Sequence, residues 1–313
     1  MSEIKQPTFD IPFKSPLAPE LLGPDDKIKF RCYKGISCFN ACCRKADIQL
    51  TPYDIVRLKT RLGMDSSEFL KKYTVPAPMD AHGLPAVKMR TEDEDPVCLL
   101  LNADEGCSVY EDRPSACRYY PVGLMNMRAL GSPTDEQHYF VVQEDHCMGH
   151  SEDNEMSIDQ YREEQGVKPF DELNHEWYQI ILKKRSSGPT VGKPSEMSLQ
   201  LFFMCSYDVD RFRRFVMSDA FKNSYDLDDS FFAEVENDDV ALMQFGFKLM
   251  KQVLFGEQTV PEREGALGKR LDERKEIIET RKAAALQDWT ENNDIYKMDQ
   301  EGLQQEKASK EKK

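Results

Sequence analysis

The apolar positions change their period midway along the chain. In residues 52–63, Ile55, Leu58 and Leu62 share one face of a helical repeat. The ends of that helix are marked as well. Thr51 can cap it, Pro52 suits its first position, Asp54 favours the positive end of the dipole, and Gly63 stops it. A second short helix follows, with Asp65 and Glu68 as a capping-box pair and Phe69, Leu70 and Tyr73 as its apolar residues. Residues 75–85 read as a loop from their Pro and Gly content. Beyond it, 86–90 and 97–101 read as short strands joined by the acidic turn 91–96, with Cys98 on the second. A third strand is expected at 107–110, a prolyl-bounded helical turn at 111–121, and another strand at 139–142.

From Ser157 onward the pattern is helical. Helices are expected at 157–165, at 169–185 with Phe170, Leu173, Trp177, Ile180 and Ile181, and at 196–207. Two more are expected at 208–221, with Val209, Phe212, Phe215 and Val216 on one face, and at 237–255, whose aromatic and Met-rich stripe reads as core. Residues 186–195 form the clearest linker. The architecture implied is α+β and mainly helical, a small cysteine-rich domain with short strands followed by a helical domain. Its parts are an extended arm at 1–29, broken by Pro7, Pro12, Pro16, Pro19 and Pro24, a cysteine domain at 30–150 and a helical domain at 151–256. A charged, partly disordered tail at 257–313, with one helix near 271–289, completes the expectation.

Charge and composition narrow the function. A formal charge of -14 opposes binding to a polyanion through phosphate neutralisation, so no nucleic-acid partner is expected. Nor is a membrane partner expected, since no segment approaches the ~20 apolar residues needed to cross a bilayer and the first ten residues lack a signal-peptide h-region. The expectation is a cytoplasmic protein, where cysteines serve more readily as free thiols or metal ligands than as disulfides.

The cysteines carry the chemistry. Four fall in Cys32-Tyr-Lys-Gly-Ile-Ser-Cys38-Phe-Asn-Ala-Cys42-Cys43, and eight of the nine lie between residues 32 and 147. A buried structural cysteine needs no second thiol nearby, whereas a metal ion or cluster needs several thiolates converging on one point. Eight thiols suit two four-thiolate zinc sites, one iron-sulfur cluster with accessory ligands, or a binuclear centre with bridging sulfur. Adjacent side chains usually diverge, so Cys42 and Cys43 are more easily placed on opposite sides of a metal pair, or with one as ligand and one behind it; a strained vicinal disulfide is the other option. The spacing departs from both the zinc-ribbon and the ferredoxin pattern. Arg31, Arg44, Lys45, Arg113 and Arg118 recur beside thiols and can offset thiolate charge, Arg118 foremost because it follows Cys117. His146 and His150 flank Cys147 and allow a mixed nitrogen and sulfur site, while Cys205 in its apolar helix reads as core.

Together Cys42-Cys43, Leu50-Thr51-Pro52-Tyr53-Asp54-Ile55-Val56-Arg57-Leu58, Cys98-Leu-Leu-Leu101, Cys107-Ser-Val-Tyr110, Arg113-Pro114 and Cys117-Arg-Tyr-Tyr-Pro121 resemble the YkgJ-type cysteine-cluster family. That family is described as zinc- or iron-chelating and includes the flagellin lysine N-methylase. The resemblance covers residues 30–150 and implies Cys32, Cys38, Cys42, Cys43, Cys98, Cys107, Cys117 and Cys147 as the metal-binding set. The family's usual opening, C-x2-C-x2-C-C, is expanded here. Three functions follow for weighing: a protein chelating zinc or iron, with an iron-sulfur cluster as one form; a protein lysine N-methylase-like enzyme using S-adenosylmethionine and an iron-sulfur centre; and an interaction module binding another protein through its helical half or tail. Gly265-Ala-Leu-Gly268-Lys269 fails the P-loop spacing, no Gly-rich nucleotide fingerprint is present, and five scattered histidines give no H-E-x-x-H.

Overall fold

A computed structural model of the chain describes residues 20–44, 47–77, 83–92, 96–102, 104–127, 136–186 and 194–266, with scattered positions from 268 to 283. The strands in chain order are β1 (Lys27–Lys29), β2 (Thr74–Ala77), β3 (Ala86–Met89), β4 (Leu101–Asn102), β5 (Gly106–Cys107), β6 (Val122–Met127), β7 (Glu136–Val141) and β8 (Glu155–Ser157). The α-helices are α1 (Pro52–Leu62), α2 (Ser66–Tyr73), α3 (Ser115–Tyr119), α4 (Ile158–Gln165) and α5 (Lys168–Ser186). They continue with α6 (Glu196–Tyr207), α7 (Val209–Val216), α8 (Asp219–Lys222), α9 (Asp229–Asn237) and α10 (Asp239–Phe255). The strands form antiparallel pairs, β1 with β8, β2 with β3, β4 with β5 and β6 with β7. The protein is α+β and mainly helical, with its strands concentrated before the helices.

The chain divides into two compact units. The larger comprises residues 1–218 and 228–260. Within it, α1 packs against α2, α5, α6 and α10, and α10 also contacts α7 and α9. The apolar stripe of α10 supplies much of this core, with Leu242, Met243, Phe247, Leu249 and Met250 all buried. Each such side chain removed from water contributes about 1.5–3 kcal/mol. A second core cluster of Ile28, Phe30, Tyr119, Val122, Tyr139, Ile158, Tyr161 and Val167 lies where β1–β8 and β6–β7 meet α3 and α4. The smaller unit, 219–227 with 261–313, is described around α8. The Phe221 and Tyr225 rings pack at 4.5 Å tilted by 32°, Tyr225 bridges to Glu262, and Arg263 Nε donates to the Lys222 carbonyl at 3.0 Å.

The helix signals at Thr51 and Gly63 act as expected. The Asp54 N–H donates to Thr51 Oγ1 (3.3 Å), the Thr51 N–H donates to Asp54 Oδ2 (2.8 Å), and Gly63 ends α1 at φ 63°. Asp65 caps α2 by accepting from the Ser67 N–H at 2.7 Å. Ser157 caps α4 with Gln160 in a reciprocal box.

Four departures have local causes. Residues 74–77 form β2 rather than loop, and β2, not 97–101, pairs with β3; Val97 and Cys98 make isolated bridges to Arg44 and Thr91. The helix expected at 208–221 breaks after Val216, where Ser218 Oγ donates back to the Phe215 carbonyl at 2.7 Å. Helix α9 was not anticipated, although Asp228 caps it through the Phe231 N–H at 2.9 Å. The arm is extended at residues 27–29 but is not superficial there, because Ile28 and Phe30 enter the second core cluster. Residues 1–19, the linker core 187–193 and most of the helix expected at 271–289 lie outside the described residues.

Candidate metal centre

The eight cysteines come from six separate pieces of local structure. Cys32 and Cys38 lie in the turns after β1, and Cys42 and Cys43 in a 3-10 turn, Ala41–Cys43, entered through Asn40 at φ 68°. Asn tolerates that left-handed conformation better than most residues. Cys98 bridges to Thr91, Cys107 stands opposite Leu101 on β5, Cys117 is on α3, and Cys147 precedes a 3-10 turn, Met148–Ser151.

Backbone pairing draws these pieces together. β1 lies on β8, and the pairing continues past the strands with the Phe30 N–H donating to the Asn154 carbonyl (3.0 Å) and the Arg31 N–H to the Gly149 carbonyl (3.1 Å). The Met148 N–H then donates to Cys38 Sγ at 3.2 Å, so the last cysteine of the cluster is brought against the first group. Gly149 allows this approach, since a Cβ there would stand 2.5 Å from the Phe30 ring and 3.0 Å from the Arg31 carbonyl oxygen. On the other side, the Cys98 N–H donates to the Cys43 carbonyl at 3.0 Å. Helix α3 is fixed to α1 by the fully buried Asp54, which accepts from the Ser115 N–H at 2.8 Å and from Ser115 Oγ at 3.1 Å.

The sulfurs form one electrostatic cluster. Cys32 feels the charges of Cys42, Cys38 and Cys147, and desolvation first, then these neighbours, pushes its thiol up to about 11 against the opposing pull of Arg113. Cys43 feels Cys42, Cys98 and Cys117; Cys107 feels Cys98 and Cys42; Cys117 feels Cys98, Cys107 and Cys42. Burial is the largest cause raising Cys98, Cys107 and Cys117. Cys42 and Cys43 act most directly on each other's titration. Cys43 stabilises the Cys42 thiolate and lowers it to about 7, while its own thiol is raised.

The flanking groups sort differently from their sequence order. Arg118 is taken up by carbonyls, with Nε donating to Arg113 O (3.1 Å), Nη1 to Gln165 O (2.9 Å) and Nη2 to Glu111 O, and its guanidinium lies over the Phe170 ring. Arg113 is instead the cation whose charge reaches Cys32 and Cys107. His146 pairs with Glu144 at 3.6 Å, and the His150 ring packs on Phe30. Tyr120, which the sequence reading passed over, has a buried hydroxyl with no hydrogen-bond partner among the described residues, and burial, then Cys147 and Glu144, hold it well above its ordinary range. Its position in Cys117-Arg-Tyr-Tyr-Pro121 was the available signal. Cys205 is only 2% exposed, and a Cβ on Gly246 of α10 would stand 3.5 Å from its sulfur, so it belongs to the α6–α10 contact.

The donor set suits a thiophilic divalent cation. Five of the thiols are pushed upward by one another's charge or by burial, and a bound cation would supply the opposite charge. Among the described residues, no group of three or more His, Cys, Asp and Glu side chains is arranged as a ready-made cation site, so ligation would draw on rotation of the cysteine side chains between staggered wells. Also among the described residues, no helix is long and apolar enough to cross a membrane. No curated protein and no solved structure gives a significant match to the chain. Residues 31–148 do match a family model, that described as "CxxCxxCC: Putative zinc- or iron-chelating domain", which is the cysteine-cluster family that the motifs from Cys42 to Pro121 resemble.

Proposed function

We propose that this chain binds zinc or iron through Cys32, Cys38, Cys42, Cys43, Cys98, Cys107, Cys117 and Cys147. The observation that carries the reading is the gathering of thiols from six separated segments into one cluster of interacting charges. Packing alone does not require it, since Cys205 fills a core position with no thiol beside it. Free thiolates so close repel each other, whereas a divalent cation turns the same arrangement into a favourable one. The chelation itself demands only deprotonated sulfur. The Arg113 charge offsets part of the remaining negative charge at Cys32 and Cys107.

Metal content by mass spectrometry tests this on full-length protein purified without oxygen and without a metal-affinity tag. Bound zinc with no visible colour supports a closed thiolate site, and iron with acid-labile sulfide supports an iron-sulfur form. Removing the metal with a strong chelator is expected to lower the thermal midpoint, because the cation binds the folded cluster and not the dispersed thiols. Absence of any bound metal, together with no change on adding zinc or ferrous iron, would overturn the proposal.

A further inference from the structure

Helix α1 carries charge on two of its faces, and only one of them is balanced. On the first, Lys59 lies 2.9 Å from Asp210 and 2.8 Å from Asp239, and Arg213 of α7 pairs with the same two carboxylates, so two cations meet two anions. On the second, Arg57 and Arg61 share a single carboxylate among the described residues, that of Asp112 in the turn Tyr110–Asp112. One positive charge is left over, in a chain whose formal charge is -14. Like charges one helical turn apart repel each other, so the pair lowers the stability of α1 unless an anion joins it.

The donors of this second face are largely unused. Arg57 Nε donates to Asp112 Oδ1 at 2.8 Å, Nη2 donates to the same oxygen, and Nη1 donates to the Tyr53 hydroxyl at 3.4 Å. Arg61 Nε stands 3.8 Å from Asp112 Oδ2, beyond hydrogen-bond range, and none of its N–H donors has an acceptor among the described residues.

These groups open on a cavity of about 500 Å3, a volume that suits a small organic molecule. Tyr53, Val56, Arg57, Thr60 and Arg61 follow the helical repeat and form one wall, with Asp112 and Val240, in the first turn of α10, across from it. The lining is divided in kind. Tyr53, Val56 and Val240 offer apolar surface, while the two guanidiniums and the Thr60 hydroxyl offer donors. Asp239, beside Val240, is held by Lys59 and Arg213, and the N–H groups of Val240 and Ala241 are taken by Asp238.

A guanidinium fork matches the two oxygens of a carboxylate, and one surplus positive charge matches a monoanion better than a dianionic phosphate. We infer that this cavity is a binding site for a small organic carboxylate, its head group taken by Arg61 with Arg57 beside it and its apolar body lying on Tyr53, Val56 and Val240. Asp112 sets the strength of the site, since it holds Arg57 in place and competes with the ligand for Arg61. No cysteine lines the cavity, and the inference requires no metal.

Fluorine NMR on the full chain tests this with 4-fluorobenzoate and 6,6,6-trifluorohexanoate as probes at fixed ionic strength. At least one of the two is expected to bind saturably, and 4-fluorobenzamide, a neutral counterpart, is not. Arg61→Gln is expected to weaken binding about tenfold through loss of a charge-assisted pair, and Arg61→Lys, which keeps the charge without the fork, to fall between. Thr60→Phe fills the cavity while leaving both arginines and should abolish binding. Asp112→Asn keeps an acceptor for Arg57, removes the competing charge and should tighten it. Arg61 and Thr60 are both exposed, so their variants should keep the wild-type circular dichroism spectrum. No saturable binding of either carboxylate, equal binding of the amide, displacement of the probe by inorganic phosphate as readily as by unlabelled benzoate, or unchanged binding in folded Arg61→Gln or Thr60→Phe would overturn the assignment.

Discussion

Replacing Asp54 by Ala tests how the cysteine segment is fixed to the helices. The Asp54 carboxylate is completely buried and accepts from the Thr51 N–H, the Ser115 N–H and Ser115 Oγ at 2.8, 2.8 and 3.1 Å. Truncation removes the Asp54 half of the α1 capping box and with it the acceptor of two buried backbone donors, the Thr51 and Ser115 N–H groups, at about 1–3 kcal/mol each. Relief from burying a carboxylate, which is the dominant influence raising its pKa, offsets part of this, leaving an expected loss of about 3–4 kcal/mol. Against a typical total of about 5–15 kcal/mol, that is a large fraction. Urea unfolding followed by circular dichroism, on zinc-supplemented and chelator-treated protein, reads it directly. Asp54→Asn keeps an acceptor oxygen and should fall between Ala and wild type. A loss below about 1 kcal/mol for Asp54→Ala would refute the claim that this carboxylate holds α3 and its cysteine against α1.

Further predictions concern other contacts. Burial alone would raise Asp210, but the Ser66 N–H and Oγ and the Lys59 ammonium outweigh it and hold the carboxyl below its ordinary range; its stabilisation is present above about pH 4 and is lost as pH falls below that through the depressed folded value, so Asp210→Asn should flatten the acid limb of a stability-versus-pH curve. Gly149→Ala places a methyl against the Phe30 ring and the Arg31 carbonyl and should cost about 1–3 kcal/mol in urea unfolding, with weaker zinc retention because Cys147 and Cys38 are registered by the same turn. Cys205→Ala should leave metal stoichiometry by mass spectrometry unchanged and cost about 1 kcal/mol, separating the core thiol from the cluster.

What was legible in the sequence was mostly local. Helix α1 announces itself because Thr51, Pro52, Asp54 and Gly63 each act within one turn of their own backbone. The cysteine cluster was legible as a set of residues, since thiol density and motif order are sequence properties. Its internal arrangement was not. That depends on the pairing of β1 with β8, two strands of three residues whose partners are more than a hundred positions apart and whose alternation is too short to read. Strand β2 was hidden by Pro76, which lies in a two-stranded pair and so faces an edge where a missing N–H is tolerated. Arg118 looked like the counter-charge because it is adjacent to Cys117, but on α3 successive side chains point in different directions, and Arg118 turns to the carbonyls of residues 111, 113 and 165.

The distance in sequence between Cys32 and Cys147 has its own consequence for folding. Closing a long loop costs conformational entropy that grows slowly with length, so a link between remote segments limits the unfolded chain more than one between neighbours. The β1–β8 pairing is too short to carry that closure alone, and its stability comes from Ile28 and Phe30 entering the cluster formed with Tyr119, Tyr139, Ile158 and Tyr161. A metal bound across Cys32, Cys38 and Cys147 would act on the same closure from the polar side, as a cross-link does. The apolar cluster and the thiol cluster therefore share one task, meeting at Gly149, where the chain passes between them. Metal affinity and the stability of the β1–β8 clasp would then be a single linked quantity, so that whatever loosened one would loosen the other.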